Sequence, residues 1–277
     1  MLQDGGIEMD LIDFHVHTFP DGIARRTVEL LSRRSGLTPA TDGTVGDTLQ
    51  KLAQWGISLG VLFGIATKPS QQRSINDFAA KTMRENAGRC VCFGTVHWAA
   101  PDALDEIERI RELGLPGIKL HPDYQDFLID DPKMFPVYDR CAALGLPVLF
   151  HTGYDPVSPE LMHAPPERSR RAALAFPKMT FVLAHMGSNG YWQNDVVERE
   201  LCGLPNVWFD TSLASNTLPR DHAERIIRKH GADRVLFASD CPWSNPMDAF
   251  RYLEGMKLSD GEKEKIYARN ARRLLGL

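Results

Sequence analysis

The chain has 277 residues, 43% of them apolar and 25% charged, and its 32 basic and 36 acidic side chains leave a formal net charge of −4. This length buries a substantial core. The charge balance excludes a strongly basic nucleic-acid binder and a charge-rich disordered chain. No apolar run is long enough to span a bilayer, and the first residues, Met1-Leu2-Gln3-Asp4-Gly5-Gly6, lack a basic-then-apolar leader. Five cysteines without CxxC spacing read as reduced thiols, and the expected location is the cytoplasm.

Residues 1–9 read as a loose tail and residues 10–277 as a single domain. A first strand is expected over 11–17, helices over 24–35 and 44–55, and a second strand over 57–65. A polar helix over 74–87 leads to strand 90–98. Helix 101–113 begins with Pro and Asp and stops at Gly114, and strand 117–121 follows. Next come a loop over 122–131, a helix over 132–144 and strand 147–151. The loop 152–164 is long and rich in Pro, a length that usually carries function. Helix 166–175, strand 180–185, helix 193–203, strand 206–211, helix 220–230 and strand 234–240 complete the alternation, and two short helices near 246–256 and 259–275 finish the chain. Eight apolar strands alternating with helices predict a (β/α)8 barrel of parallel strands. No glycine-rich phosphate fingerprint follows the first strand, which argues against a dinucleotide-binding fold.

Five of these strands end in side chains that bind metals. His15 and His17 share one strand face, with Cα atoms about 6.5–7 Å apart. His151, His185 and Asp240 close three later strands, and Lys119 and His121 share a face of the fourth. These are the ends where barrel active sites are built, and a divalent cation would give the set a common partner. His97, inward by alternation, and His121 are candidates for substrate contact or for backbone hydrogen bonds. Tyr154 and Trp192 are candidates for an aromatic pocket. Asp13 is expected on the His15/His17 face but deeper, behind the ligands, and Asp210 is expected to orient a ligand histidine or cap a loop rather than bind metal. Arg25 and Arg26 read as a solvated helix face with a substrate-carboxylate clamp as the rival. His163, His222 and His230 read as solvated.

The phrases PVLFHTG, FVLAHMG, NVWFDTS and LFASDCPW, with the ending EKEKIYARNARRLLGL, resemble the amidohydrolase superfamily. Within it they are similar to the amidohydrolase-2 branch, which also contains aminocarboxymuconate-semialdehyde and resorcylate decarboxylases. The resemblance covers nearly the whole chain and implies a TIM barrel in which His15, His17, His151 and Asp240 bind metal. It implies His185 either as a ligand of a second ion or as an acid/base group. The stretch GIKLHP departs from the decarboxylases and is similar to the urease stretch, in which a carboxylated Lys bridges two metals. Lys119 is therefore either carboxylated in a two-ion site, or neutral or ion-paired beside one ion.

Lys119 tilts the expectation towards metal-dependent hydrolysis of an amide, ester or lactone of a small molecule. Zinc is the expected ion, with manganese, iron or nickel as alternatives. Asp240 would move the proton of the attacking water, and His185 or His121 would stabilise the developing negative charge. The alternative is non-oxidative decarboxylation of an aromatic or unsaturated carboxylic acid. A barrel that binds a metabolite without turnover is the third reading. No nucleic acid or membrane partner is expected, and a homo-oligomer is compatible with the sequence.

Overall fold

The computed structural model describes residues 10–156, 158–189 and 194–277. In chain order the elements are β1 (Ile12–His17), α1 (Asp21–Ser35), α2 (Val45–Gln54), β2 (Leu59–Phe63), α3 (Gln72–Glu85), β3 (Cys90–Cys92), α4 (Ala103–Glu112), β4 (Ile118–Leu120), α5 (Pro122–Gln125), α6 (Phe135–Leu144) and β5 (Val148–Phe150). Then follow α7 (Pro166–Ala175), β6 (Phe181–Leu183), α8 (Asn194–Glu200), β7 (Val207–Asp210), α9 (Ala214–Thr217), α10 (Arg220–His230), β8 (Val235–Leu236), α11 (Pro246–Glu254), α12 (Asp260–Glu264) and α13 (Asn270–Leu275). A π-helical turn, Lys265–Arg269, joins the last two.

Every strand pair is parallel, in two runs, β1-β2-β3 and β4-β5-β6-β7-β8. Single bridges join the runs at both seams, Gly94 with Ile118 and Val16 with Cys241. Backbone bonds hold the seams, Lys119 N–H to Gly94 O at 2.8 Å and Phe14 N–H to Phe237 O at 2.9 Å. The sheet is therefore closed, and the chain is the expected (β/α)8 TIM barrel.

Burial divides by the two-residue strand period. Ile12, Phe14, Val61, Phe63, Phe93, Leu149, Val182 and Leu236 form one cluster with Ala268 and Ala271 from the chain end, filling the barrel. Their neighbours Val16, Leu62, Ile118, Leu120, Val148, Phe150, Leu183, Phe209 and Val235 form the outer layer under the helices. Phe14 is fully buried and meets Phe93 edge-on at 5.6 Å. Phe14→Ala is expected to cost about 3–5 kcal/mol of stability, the usual range for emptying a buried aromatic position, as read by chemical denaturation.

The ordered strands are shorter than the sequence suggests, most of all at the C-terminal ends of β3 and β8. Past Leu236 the backbone leaves the ladder. Ala238 N–H donates to Thr211 Oγ1, Ser239 N–H to Asp13 Oδ1 and Asp240 N–H to His15 O, each at 2.9–3.0 Å. Past Leu183, His185 and Met186 have φ of 57° and 54°, so His185 sits in a turn rather than ending a strand. Asp240 also has positive φ, 73°. Non-glycine residues in this region are uncommon and cluster at functional sites. The expected loop 122–131 contains α5, which starts at Pro122 with His121 as its N-cap.

Candidate metal centre

The HxH strand places its two imidazoles together. His15 and His17 lie with their Nε2 atoms 3.2 Å apart, and Asp240 Oδ1 is 3.0 Å from the first and 3.2 Å from the second. A bulge between Asp13 and Val16 in β1 breaks the simple alternation. Asp13 is consequently not stacked below the pair. Its carboxylate accepts from Ser239 N–H at 2.9 Å, Ser239 O–H at 2.5 Å and His15 N–H at 3.2 Å, which ties β1 to the segment before Asp240. Burial pushes its carboxyl up to about 6.

Asp210, at the end of β7, accepts from His15 Nδ1–H at 2.7 Å. That bond places the His15 proton on Nδ1 and turns the Nε2 lone pair towards Asp240 and His17, the arrangement found behind metal-bound histidines. Asp210 also accepts from His185 N–H at 2.9 Å and from the Ser212 hydroxyl. Ser212 Oγ in turn lies 2.8 Å from His185 Nδ1. His185 Nε2 is 3.0 Å from His151 Nδ1. His15, His185 and Asp240 together present ligand atoms within 4.8 Å of one another, so the turn at His185 brings it, rather than His151, to this group.

Lys119 is fully buried, with its ammonium 3.5 Å from His15 Nε2 and 5.1 Å from the centre of the Phe63 ring. The side chain does not reach the solvent. Burial lowers its amine to about 8, against the pull of Asp210 and Asp240. Burial brings His17 down to about 4 and lowers His185. Burial disfavours charge on Asp210 and Asp240, yet His15 and the other hydrogen-bonding and charged neighbours together overcome it in both. Asp210 sits at about 2 and Asp240, with His17 adding to the effect, well below the carboxylate range. The centre thus has two ionised carboxylates, with the Nε2 atoms of His15 and His17 converging on Asp240 Oδ1.

The other candidates separate. His121 stacks between Tyr124 (3.7 Å) and His151 (4.2 Å) and faces Asp155. His97 is turned into its own loop, accepting from Ala99 N–H at 3.3 Å and lying against Trp98. Tyr154 is exposed, and Trp192 lies outside the described residues. Arg25 is exposed and paired with Asp42, at the rim of a surface cleft of about 500 Å³ that includes no member of the histidine set. His163 and His230, expected to be solvated, are buried. His163 holds Asp123 at 2.9 Å and His230 bonds to Val207 O at 3.1 Å. Asp123, Tyr124, Asp155 and Ser212 were not anticipated at the site. Asp155 follows His151 by four residues and Ser212 follows Asp210 by two, and neither spacing is a recognised signal in sequence.

The chain has relatives among known proteins. The amidohydrolase family model matches residues 12–277, and the chain belongs to that family. The 2-amino-3-carboxymuconate-6-semialdehyde decarboxylase of Dictyostelium discoideum is 24% identical over 257 residues, 78% of this chain and 70% of that protein. The gamma-resorcylate decarboxylase of a Polaromonas species is 24% identical over 248 residues, 74% of this chain and 76% of that protein. A solved dihydroxybenzoic acid decarboxylase from Polaromonas, with bound manganese and the inhibitor 2-nitroresorcinol, shares the fold at a TM-score of 0.74 and 18% identity, with 97% of each chain covered.

These findings correct the expectation of hydrolysis. The two relatives described above are decarboxylases. The tilt towards hydrolysis rested on Lys119 alone, and a buried lysine beside the ligands does not distinguish the two reactions. Among the described residues no helix is long and apolar enough to cross a membrane.

Proposed function

We propose that the chain is a divalent-metal-dependent, non-oxidative decarboxylase of an aromatic or unsaturated carboxylic acid. The observation that carries this reading is that two curated decarboxylases align with about three quarters of the chain. The donor set supports it. The convergent His15, His17 and Asp240 fit a cation, and Asp240 Oδ1 is buried without a hydrogen-bond partner. These three would hold the ion and leave positions open for substrate, as catalytic sites do. Imidazole and carboxylate donors suit manganese or zinc. When bound, the cation supplies positive charge for the anionic oxygens of the substrate.

Decarboxylation breaks the bond between the carboxyl carbon and its neighbour. The electron pair stays on that neighbour, carbon dioxide leaves and one proton takes its place, so that R–CO2⁻ and H⁺ give R–H and CO2. No water is consumed, and the protein must hold the carboxylate and deliver one proton to carbon. His185 carries that proton. Ser212 fixes its Nδ1, and the ring stands with His15 and Asp240. Substrate charge entering beside it favours the protonated imidazole. Asp240, ionised by its histidine neighbours, is the ligand and not the acid. Lys119 adds a buried positive charge near both carboxylates.

Manganese-loaded or zinc-loaded protein should release carbon dioxide from members of a panel of hydroxybenzoates and unsaturated carboxylic acids. Release from none of them, with esters or lactones turned over instead, would end this reading.

A further inference from the structure

We infer that Asp155 and His121 form a hydroxyl-binding subsite beside the metal centre, which selects a substrate acid carrying a free hydroxyl group besides the carboxyl group it loses. This deepens the decarboxylase reading and rests on it. His121 Nδ1 accepts from Tyr124 N–H at 3.4 Å, which leaves the ring proton on Nε2. That Nε2 lies 3.5 Å from Asp155 Oδ2, long for a hydrogen bond. A donor and an acceptor thus stand side by side without closing on each other. A hydroxyl group serves both at once, because its oxygen accepts from Nε2–H while its O–H donates to the carboxylate. A methoxy oxygen only accepts, and a bare ring hydrogen serves neither. An ammonium group would suit Asp155 but would meet the His121 N–H donor against donor. A second substrate carboxylate there would be repelled by Asp155.

Both side chains are buried and held. His121 N–H donates to Gln125 Oε1 at 2.9 Å, and Gln125 Nε2 donates to Ala66 O at 3.0 Å and Val96 O at 2.7 Å. One amide thereby ties the end of β4 to the segments that follow β2 and β3. The His121 ring lies within 7° of parallel to both Tyr124 and His151, so the direction of its Nε2–H is fixed. Asp155 accepts on Oδ1 from Ser158 N–H at 3.0 Å, and the Tyr124 hydroxyl donates to the same carboxylate. The loop that carries Asp155 is pressed on the neighbouring one. Gly153 has φ of +84°, and a Cβ there would lie 1.5 Å from Ser188 O, so only glycine permits the approach. The His121 ring is 4.2 Å from that of His151, which stands 4.8 Å from that of His185, the proton carrier. A single substituted ring with its carboxyl end beside His185 reaches the subsite. Because Asp155 and His121 are only 5% and 4% exposed, a ligand without the hydroxyl leaves buried polar groups unserved, which is how such sites discriminate.

The test is a comparison of affinities. Dihydroxybenzoates, with each hydroxyl replaced in turn by methoxy and by hydrogen, are titrated into full-length, manganese-loaded protein by calorimetry, and carbon dioxide release is followed in parallel. In the wild type, replacing one particular hydroxyl is expected to weaken binding by about 10–100-fold, the worth of a hydrogen bond to a charged group. Asp155→Asn keeps an oxygen for Ser158 N–H and turns an N–H donor to the site, so it should accept the methoxy compound and close that gap. Asp155→Leu should abolish the preference for hydroxyl over hydrogen. Circular dichroism checks the fold, and the two variants guard against one that fails to form. A general structural loss would weaken all ligands alike and leave the preference in place. No hydroxyl preference in the wild type would overturn the inference, and so would a preference unchanged in both variants, which would place the reading of the hydroxyl elsewhere, as on the ion. Carbon dioxide release with such a result would remove only the subsite. An Asp155-dependent hydroxyl preference without carbon dioxide release would remove only the decarboxylase reading, and binding of none of these acids would remove the subsite as well.

Discussion

The His15→Ala/His17→Ala protein is expected to lose the catalytic ion and, with it, essentially all turnover, while the barrel stays folded. Two of the three proposed ligands disappear, those 3.0 and 3.2 Å from Asp240 Oδ1. The fold survives because its stability lies in the strand and helix layers, with Phe14, Phe93 and Leu149 inside and Val148, Phe150 and Phe209 outside. A lower melting temperature should accompany the change, since Asp210 loses the His15 proton it accepts at 2.7 Å and is left buried and charged. Metal analysis after chelator dialysis and far-ultraviolet circular dichroism separate these effects. Wild-type metal retention in the double variant would displace the ion from this position.

His185→Asn is expected to reduce kcat by about 10²–10⁴-fold, the usual contribution of a positioned acid or base, with catalytic-site metal content and KM changed far less. The amide keeps a hydrogen bond to Ser212 but has no proton to deliver to carbon at neutral pH. Single-turnover kinetics with a substrate found by the panel measures it. A metal-replete His185→Asn protein with wild-type turnover would shift the proton transfer to another group.

Much of the fold was legible in the sequence because its signals are local. The limits of α10 (Arg220–His230) and α7 (Pro166–Ala175) are those expected, set by Pro at their starts and, for α10, glycine past its end. The apolar runs located all eight strands, and the spacing of His15 and His17 brought two imidazoles within 3.2 Å. What was hidden depended on contacts distant in sequence. The turn at His185 follows from Asp210 and Ser212, 25 and 27 residues away, which bind its backbone N–H and ring. The bulge that shifts Asp13 is a register feature of β1 against β2. His163 looked like a loop residue until its partner Asp123, 40 residues earlier, was placed beside it. Lys119 was identified as unusual, but its residue type could not say which reaction it serves.

The central claim is that the reaction exchanges a carboxyl group for a proton. Metal-loaded protein is given a substrate acid in D2O and, separately, in H2(18)O, and gas and product are analysed by mass spectrometry. The account predicts one carbon dioxide per product molecule, one deuterium at the carbon that lost the carboxyl group, and no solvent oxygen in the organic product. Solvent oxygen in the organic product, with the carboxyl carbon retained, would contradict it.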